Sequence, residues 1–192
     1  MRWDELFADI ESQFERQLDA ERLDLAAETE RLRSGRLTLV ERLESMSSDG
    51  GRVRLVLADG QTVELRVDST GADWVAGEAR LGERARGTVI PIRAIAEVQP
   101  AAGHQDRMRE GTSPLRPRGL ADRLGLAVVL RDLCRRRIEV DLCTMLGTHH
   151  GTIDRVGADH LDFSRHGIGE PRRHPTEGTR LVPFAGVVCV RL

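Results

Sequence analysis

The stretch Val67-Asp68-Ser69-Thr70-Gly71-Ala72-Asp73-Trp74-Val75 returns later in the chain as Ile153-Asp154-Arg155-Val156-Gly157-Ala158-Asp159-His160-Leu161. Self-similarity of this kind is the signature of a duplicated structural unit. In both copies the Gly-Ala-Asp corner stands between apolar stretches. We therefore expect the chain to contain two copies of one small β unit.

Alternating apolar residues precede the repeated motif in both copies, which is the pattern of half-buried strands. They are Val53, Leu55 and Leu57 in the first copy and Ile138, Val140 and Leu142 in the second. After the motif, residues 89–98 correspond to residues 181–190, and Asp59-Gly60 gives the first copy a strong hairpin signal. Each copy thus predicts about five short strands, which suits a small, strongly bent barrel.

These features together resemble an Sm-like, SH3-type barrel. The resemblance is carried by Val-Asp-x-x-Gly-Ala-Asp-Trp-Val at 67–75 and by Val-Ile-Pro-Ile-x-Ala-Ile-x-x-Val at 89–98. Residues 37–43 can supply the short helix that precedes the first strand in such barrels. The whole chain also resembles an uncharacterised actinobacterial family that opens with Trp-x-x-Leu-Phe-x-Asp-Ile-Glu, here residues 3–11. The resemblance implies a mainly β fold with an N-terminal α-helix and two small Sm-like barrels.

The chain departs from the RNA-binding Sm pattern, which has an Asn after the Asp of the third strand and a later Arg-Gly pair. This sequence contains no Asn, and its last strands have Pro-Ile-Arg93-Ala94 and Pro-Phe-Ala185-Gly186 instead. The resemblance therefore extends to the fold and not to recognition of uridine.

The expected domain organisation combines residue patterns with the resemblance. We expect residues 1–34 to form an amphipathic helix, and the resemblance implies a first Sm-like barrel with its leading helix at residues 35–100. The Pro and Gly content of residues 101–118 predicts a polar linker, and the resemblance implies a second barrel at residues 119–192. The helical stretch 120–133 is the leading helix of that second barrel.

One face of the first helix carries large apolar side chains at spacings of three and four residues. We predict that this stripe binds the barrels of its own chain, a second copy or a partner protein. The acidic polar face argues against a membrane surface. The candidate interaction residues are Trp3, Leu6, Phe7, Ile10 and Phe14, and the stripe continues at Leu18, Leu25 and Leu32.

Composition limits the functional classes. The net charge of −2 argues against a general polyanion binder. No apolar run reaches the 18 or so residues of a transmembrane helix, and the N-terminus lacks the pattern of a signal peptide. Three cysteines without CxxC spacing are typical of the reducing cytosol. We expect a cytoplasmic protein.

A basic cluster is predicted on the second barrel. Its residues are Arg135, Arg136, Arg137, Arg172 and Arg173. Arginines can contact a phosphate backbone, or they can seat an acidic partner such as the first helix. Aromatic residues are 3% of the chain, so partners for base stacking are scarce.

Two further groups of residues could carry chemistry. His149, His150, His160, His166 and His174, with Cys143, suggest a metal site, but no pair has HxxxH or HExxH spacing. The repeated carboxylates suggest acid–base work, but Asp also stabilises tight turns, and recurrence in both copies favours architecture. These are Asp68, Asp73, Asp154 and Asp159. We expect no catalytic residue, metal or cofactor.

The sequence is therefore interpreted as a non-enzymatic cytosolic interaction or adaptor protein. Its partner, another protein or a second copy, would bind the first helix. The alternative is a nucleic-acid-associated regulator that binds the phosphate backbone through the second barrel.

Overall fold

A computed structural model describes residues 17–19, 21–29, 31–32, 35–47, 51–81, 84–99, 119, 123–167 and 179–192. The chain divides into two compact units, Met1–Thr38 and Leu39–Leu192.

The first unit contains a helix, α1, at residues 17–19, 21–29 and 31–32. Arg22 and Asp19 form an ion pair at 3.3 Å, and Arg31 and Glu28 form another at 3.7 Å. Such pairs along a helix contribute about 0.2–0.5 kcal/mol each. Leucines on α1 are exposed, namely Leu18, Leu23, Leu25 and Leu32. The predicted interaction residues Trp3, Leu6, Phe7, Ile10 and Phe14 lie outside the described residues.

The second unit is mainly β. Its helices in the described residues are α2 (Leu39–Ser47) and α3 (Leu126–Arg135). The strands are β1 (Val53–Leu57), β2 (Thr62–Thr70), β3 (Trp74–Leu81), β4 (Arg84–Pro91), β5 (Ile95–Gln99), β6 (Glu139–Thr144), β7 (Gly147–Val156), β8 (His160–Arg165), β9 (Thr179–Pro183) and β10 (Val187–Arg191). We call α2 with β1–β5 the first half and α3 with β6–β10 the second half.

The hairpin signal at Asp59-Gly60 marks the turn between β1 and β2. Gly60 has a φ of 81°, a conformation that a side chain disfavours. Its backbone N–H donates to the carbonyl of Leu57 at 2.9 Å, and the Asp59 carboxylate accepts the N–H of Gln61 at 3.0 Å. The turn is thus built from the local chemistry that the sequence predicts.

All ten strands form one antiparallel sheet in the order β5-β1-β2-β3-β4-β10-β6-β7-β8-β9. The halves meet where β4 pairs with β10, with Val89 opposite Val190 and Thr88 opposite Arg191. In the described residues β5 and β9 are the end strands, and they do not pair to close the sheet. The mainly β fold is confirmed, whereas the prediction of two barrels is not: the strands form one continuous open sheet.

The strand registers correct the alignment of the first strand of each half. Leu65 and Gly151 hold the same place ahead of the repeated motif. Leu65 lies opposite Val53, and Gly151 lies opposite Val140. Val53 therefore corresponds to Val140 and not to Ile138, because a shift of two residues preserves the same alternation of apolar side chains.

Each of the two apolar cores of this unit contains residues from both halves. One core, centred on β1–β4, also contains Cys143 and Cys189 of the second half. The other, around α3 and β6–β8, also contains Trp74 and Val89 of the first half. Burying a large apolar side chain contributes about 1.5–3 kcal/mol. The burial of these residues in the core of the other half therefore stabilises the junction between β4 and β10.

Candidate functional site

The predicted basic cluster begins at the end of α3, where its arginines have acidic partners. Asp132 lies 2.6 Å from Arg135 and 2.8 Å from Arg136, and Arg137 lies 3.3 Å from Asp154. The hydrogen bond from Arg135 lowers the pKa of the Asp132 carboxyl, and the charge of Arg136 adds to this. These ion pairs leave the cluster less positive than the sequence predicts. Arg172 and Arg173 lie outside the described residues.

Arg137 has a structural role at the end of α3. Its φ is 55°, the left-handed conformation that often ends a helix and that glycine adopts most easily. Its backbone N–H donates to the carbonyl of Cys134 at 3.1 Å, and the N–H of Ile138 donates to Leu133 at 3.1 Å. These bonds satisfy helix carbonyls that would otherwise lack donors.

A different group of basic residues lines a pocket of about 440 Å³ at one end of β7, β8 and β9. The lining residues are His150, Arg165, His166, Gly167 and Arg180. We call this the β7–β9 pocket.

Strand pairing brings the two arginines of this pocket together. Arg180 on β9 lies opposite Phe163 on β8. Arg165 follows Phe163 by two positions in the same strand, and alternate residues of a strand point to one face. The two guanidinium groups therefore leave the same face of the sheet at diagonal positions.

The field of these arginines acts on a neighbouring histidine. The pKa of His149 on β7 is lowered, first by burial and then by the positive charges of Arg165 and Arg180. Both arginines are exposed, and neither has a hydrogen bond or an ion pair to another described residue. Both side chains are exposed, so within the described part of the chain their charge faces solvent.

His150 forms the polar wall of the pocket. Its Nδ1 lies 2.7 Å from Oδ1 of Asp141, and Oδ2 of Asp141 lies 2.5 Å from Arg86 on β4. Partial burial acts to raise the pKa of Asp141, but the bond to His150 and the charge of Arg86 outweigh it and hold that pKa below its usual value. The Nε2 atom of His150 is buried, has no hydrogen-bond partner in the described part of the chain and lies 3.5 Å from Glu139.

His166 is held in place beside His150. The two rings meet edge to face, with centroids 5.5 Å apart. Nδ1 of His166 lies 3.1 Å from the carbonyl of Gly167, so this nitrogen carries the proton. Nε2 lies 3.4 Å from the hydroxyl of Thr152. Both ring nitrogens are thus occupied within the protein.

The five predicted metal-site histidines are only partly brought together. His149, His150 and His166 lie near the β7–β9 pocket, while His160 bonds Asp159 at 2.8 Å in the second Gly-Ala-Asp corner. His174 lies outside the described residues. The described part of the chain contains no group of three His, Cys, Asp or Glu placed to hold a metal ion.

The repeated carboxylates make structural contacts. Asp68 pairs with Arg66 at 3.2 Å, and Asp154 accepts a hydrogen bond from Ser164. Asp73 accepts the N–H of Leu126 at 2.7 Å. These contacts fit the architectural interpretation of the repeat.

The glycines of the two corners are needed for space. A Cβ on Gly71 would collide with the indole of Trp74, and one on Gly157 would collide with the ring of His160. The positive φ angles lie elsewhere, since among the described glycines they occur at Gly60 and Gly147.

Two of the three thiols meet inside the β6–β10 pair. Cys143 and Cys189 lie opposite each other and are buried. The hydrogen bond with Cys189 lowers the pKa of Cys143 to about 7 against the effect of burial, and it raises the pKa of Cys189. Cys134 is half-buried in α3.

Arg165 and Arg180 were not identified from the sequence. Each is a single arginine at a strand end, and they become neighbours only when β8 pairs with β9. The available sequence signal is that they stand on either side of residues 167–178, which are rich in Gly and Pro.

Of the helices in the described parts of the chain, none is long and apolar enough to span a lipid bilayer. No protein-family model, curated protein or solved structure matches the chain.

Proposed function

We propose that the chain is a non-enzymatic, cytosolic interaction protein made of tandem Sm-like units that arose by internal duplication. The repeated strand order supports this, since β10-β6-β7-β8-β9 matches β5-β1-β2-β3-β4. The corners are also held alike: the N–H of Gly71 donates to Trp74, and that of Gly157 donates to His160, both at 2.9 Å. A short helix precedes each set of strands, α2 before β1 and α3 before β6.

The observation that carries the proposal is that the end strands β9 and β5 correspond to two strands that pair with each other inside the chain. β9 corresponds to β4, and β5 corresponds to β10, while β4 and β10 pair inside the chain. In the described residues no strand covers the outer edge of β5 or β9. An uncovered strand edge is a template for another chain, and unlike ends join head to tail. A second copy or an extended segment of another protein can extend this sheet.

The side chains at the two ends are suited to such pairing. Leu181 on β9 is 65% exposed, whereas its counterpart Val89 is 4% exposed where β10 covers β4. In the register of the internal junction, Leu181 would lie opposite Val98 of β5 in a second chain. Arg180 would lie diagonal to Glu97, which gives opposite charges at cross-strand neighbours.

The N-terminal helix remains part of the proposal. The exposed leucines of α1 offer an apolar surface to a partner protein or a second copy. The stripe from Trp3 to Phe14 would extend that surface.

A nucleic-acid-associated regulator is the second candidate. The arginines of the β7–β9 pocket, which have no ion pair to another described residue, favour it over the arginines at the end of α3. Binding would be through phosphate and would weaken with salt.

Leu181→Asp tests the main proposal, with Leu146→Asp as its matched control. Leu146 is 93% exposed in the turn between β6 and β7, so both variants exchange an exposed leucine for an aspartate. A tagged full chain is used to capture partners, or an untagged copy of itself, with and without nuclease. Capture that survives nuclease and is lost only in Leu181→Asp supports an interaction protein. Capture that disappears with nuclease supports the second candidate, and equal capture by both variants contradicts pairing at β9.

A further inference from the structure

The β7–β9 pocket has a composition that selects for an anion. Arg165 and Arg180 line it, and its described lining residues include no Asp or Glu. Neither guanidinium has a partner among the described residues, so no ion pair within that part of the chain must break when a ligand enters. We infer that this pocket binds a phosphate group between Arg165 and Arg180.

Two guanidinium groups favour phosphate over carboxylate, because a phosphate has enough acceptor oxygens for both groups. Each guanidinium presents N–H donors in a planar fork, and a phosphate offers several oxygen acceptors in a matching arrangement. Arg165 and Arg180 lie at diagonal positions on one face, so they can approach one group from two sides. The positive charges of Arg165 and Arg180 also contribute, after burial, to the lowered pKa of His149.

Asp141, which lies beside the pocket, has its own partners. Asp141 is engaged by His150 at 2.7 Å and by Arg86 at 2.5 Å, which balances its charge. Glu139 lies 3.5 Å from Nε2 of His150. The phosphate is therefore placed at the arginines rather than at His150.

The position of His166 in the lining is fixed by hydrogen bonds, and the pocket volume is large enough for a small ligand. Both ring nitrogens of His166 are engaged, one by the carbonyl of Gly167 and the other by the hydroxyl of Thr152. The ring is therefore not assigned a contact with the ligand. The volume of about 440 Å³ exceeds the need of one inorganic phosphate and lies in the range of small-ligand sites, about 300–1,000 Å³. We expect a phosphate that carries an organic substituent.

That chemistry has two sources, a free phosphorylated small molecule and the backbone of a nucleic acid. Inorganic phosphate, adenosine monophosphate and a short oligothymidylate are therefore titrated separately into the full chain. Ionic strength is held constant with sodium chloride, and amide chemical shifts give the dissociation constants. Arg180 lies on the end strand β9, so Leu181→Asp is titrated with the same probes: phosphate binding that this variant retains is independent of strand pairing.

The test variant is Arg165→Gln with Arg180→Gln. Its control is Arg131→Gln with Arg155→Gln, which removes the same charge from exposed arginines of the same half. Losing two charge-assisted hydrogen-bonding groups should weaken binding about tenfold or more. The control should change it less than about twofold, because screened surface charges act weakly at a distance.

Each result decides the inference. Loss confined to the Arg165/Arg180 variant supports the phosphate site. Binding of adenosine monophosphate then identifies a small-molecule source, and binding of the oligothymidylate alone identifies a backbone source. Equal weakening in both variants, or no binding of any probe, overturns the inference. Circular dichroism of both variants confirms that the fold is retained.

Discussion

The carboxylate of Asp73, in the corner before β3, accepts a hydrogen bond at 2.7 Å from the backbone N–H of Leu126, the first residue of α3. Beside it, the indole N–H of Trp74 and the N–H of Ala72 donate to the carbonyl of Leu124 at 2.9 and 3.0 Å. A residue of the first half thus caps a helix of the second, because Gly125 supplies no side chain for that purpose.

Asp73→Ala should lower the free energy of unfolding by about 1 kcal/mol, the usual effect of losing a helix cap. Asp159 holds the same place in the second corner, but its carboxylate bonds only to the neighbouring His160 among the described residues and is 90% exposed. Asp159→Ala should therefore cost less than about 0.5 kcal/mol. Urea unfolding of the two variants makes the comparison. Equal losses would show that Asp73 does not cap α3.

Arg137→Gly should be neutral or should stabilise the protein by up to about 1 kcal/mol, because glycine adopts the left-handed conformation without strain. The gain is opposed by loss of the exposed ion pair with Asp154. Arg136 has a φ of −81°, so Arg136→Gly should destabilise by about 0.5–1 kcal/mol. Thermal unfolding of both variants tests the prediction, and the reverse ranking would contradict the described end of α3.

Acid should destabilise the protein in two steps. His149 has a lowered pKa in the fold, so the unfolded chain binds its proton first, and stability should fall as the pH drops below 6.5. Asp141 also has a lowered pKa, so a further loss should follow below pH 3.8 as the unfolded carboxyl takes up its proton. Urea unfolding across this pH range provides the measurement. His149→Gln should flatten the upper step, and an unchanged profile would contradict that assignment.

The pKa of His149 should rise when Arg165 and Arg180 are both replaced by Gln. It should stay below 6.5, since burial is the first cause of its shift and the arginine charges come after it. An NMR titration of the histidine ring protons measures the change. The Arg131→Gln, Arg155→Gln variant serves as the reference, and an equal rise there would mean that the two pocket arginines have no special effect on His149.

Local features of the fold could be predicted from the sequence. Alternating residues gave the strands, and Asp59-Gly60 gave the first hairpin, because both signals depend on neighbouring residues. The junction of Val89 with Val190 could not be predicted in this way, since nothing local specifies which strands meet.

The candidate pocket depends on the same kind of distant pairing. Arg165 and Arg180 are far apart in the sequence and become neighbours through the pairing of β8 with β9. The sequence favoured Arg135, Arg136 and Arg137 because they are consecutive. Consecutive arginines need not be free, and Asp132 and Asp154 pair with these three.

The most direct test of the proposed interaction protein uses one variant for each end of the sheet. The N–H of Leu192 donates to Gly87 across the internal junction at 2.8 Å. The backbone N–H and C=O groups of alternate residues point to the same side of a strand, so those of Val190 also point to β4. The corresponding groups of its counterpart Val98 point outward from the free edge of β5. Leu181 corresponds to Val89 in the same way. Proline at either position removes an edge donor without breaking the internal sheet.

Sedimentation velocity of Val98→Pro, Leu181→Pro and their mixture is the measurement. The native chain should associate in a concentration-dependent manner, and each variant alone should remain monomeric because one end is blocked. The mixture should form a one-to-one dimer, since Val98→Pro keeps its β9 edge and Leu181→Pro keeps its β5 edge. A mixture that stays monomeric, or single variants that associate as the native chain does, would contradict head-to-tail pairing of the sheet.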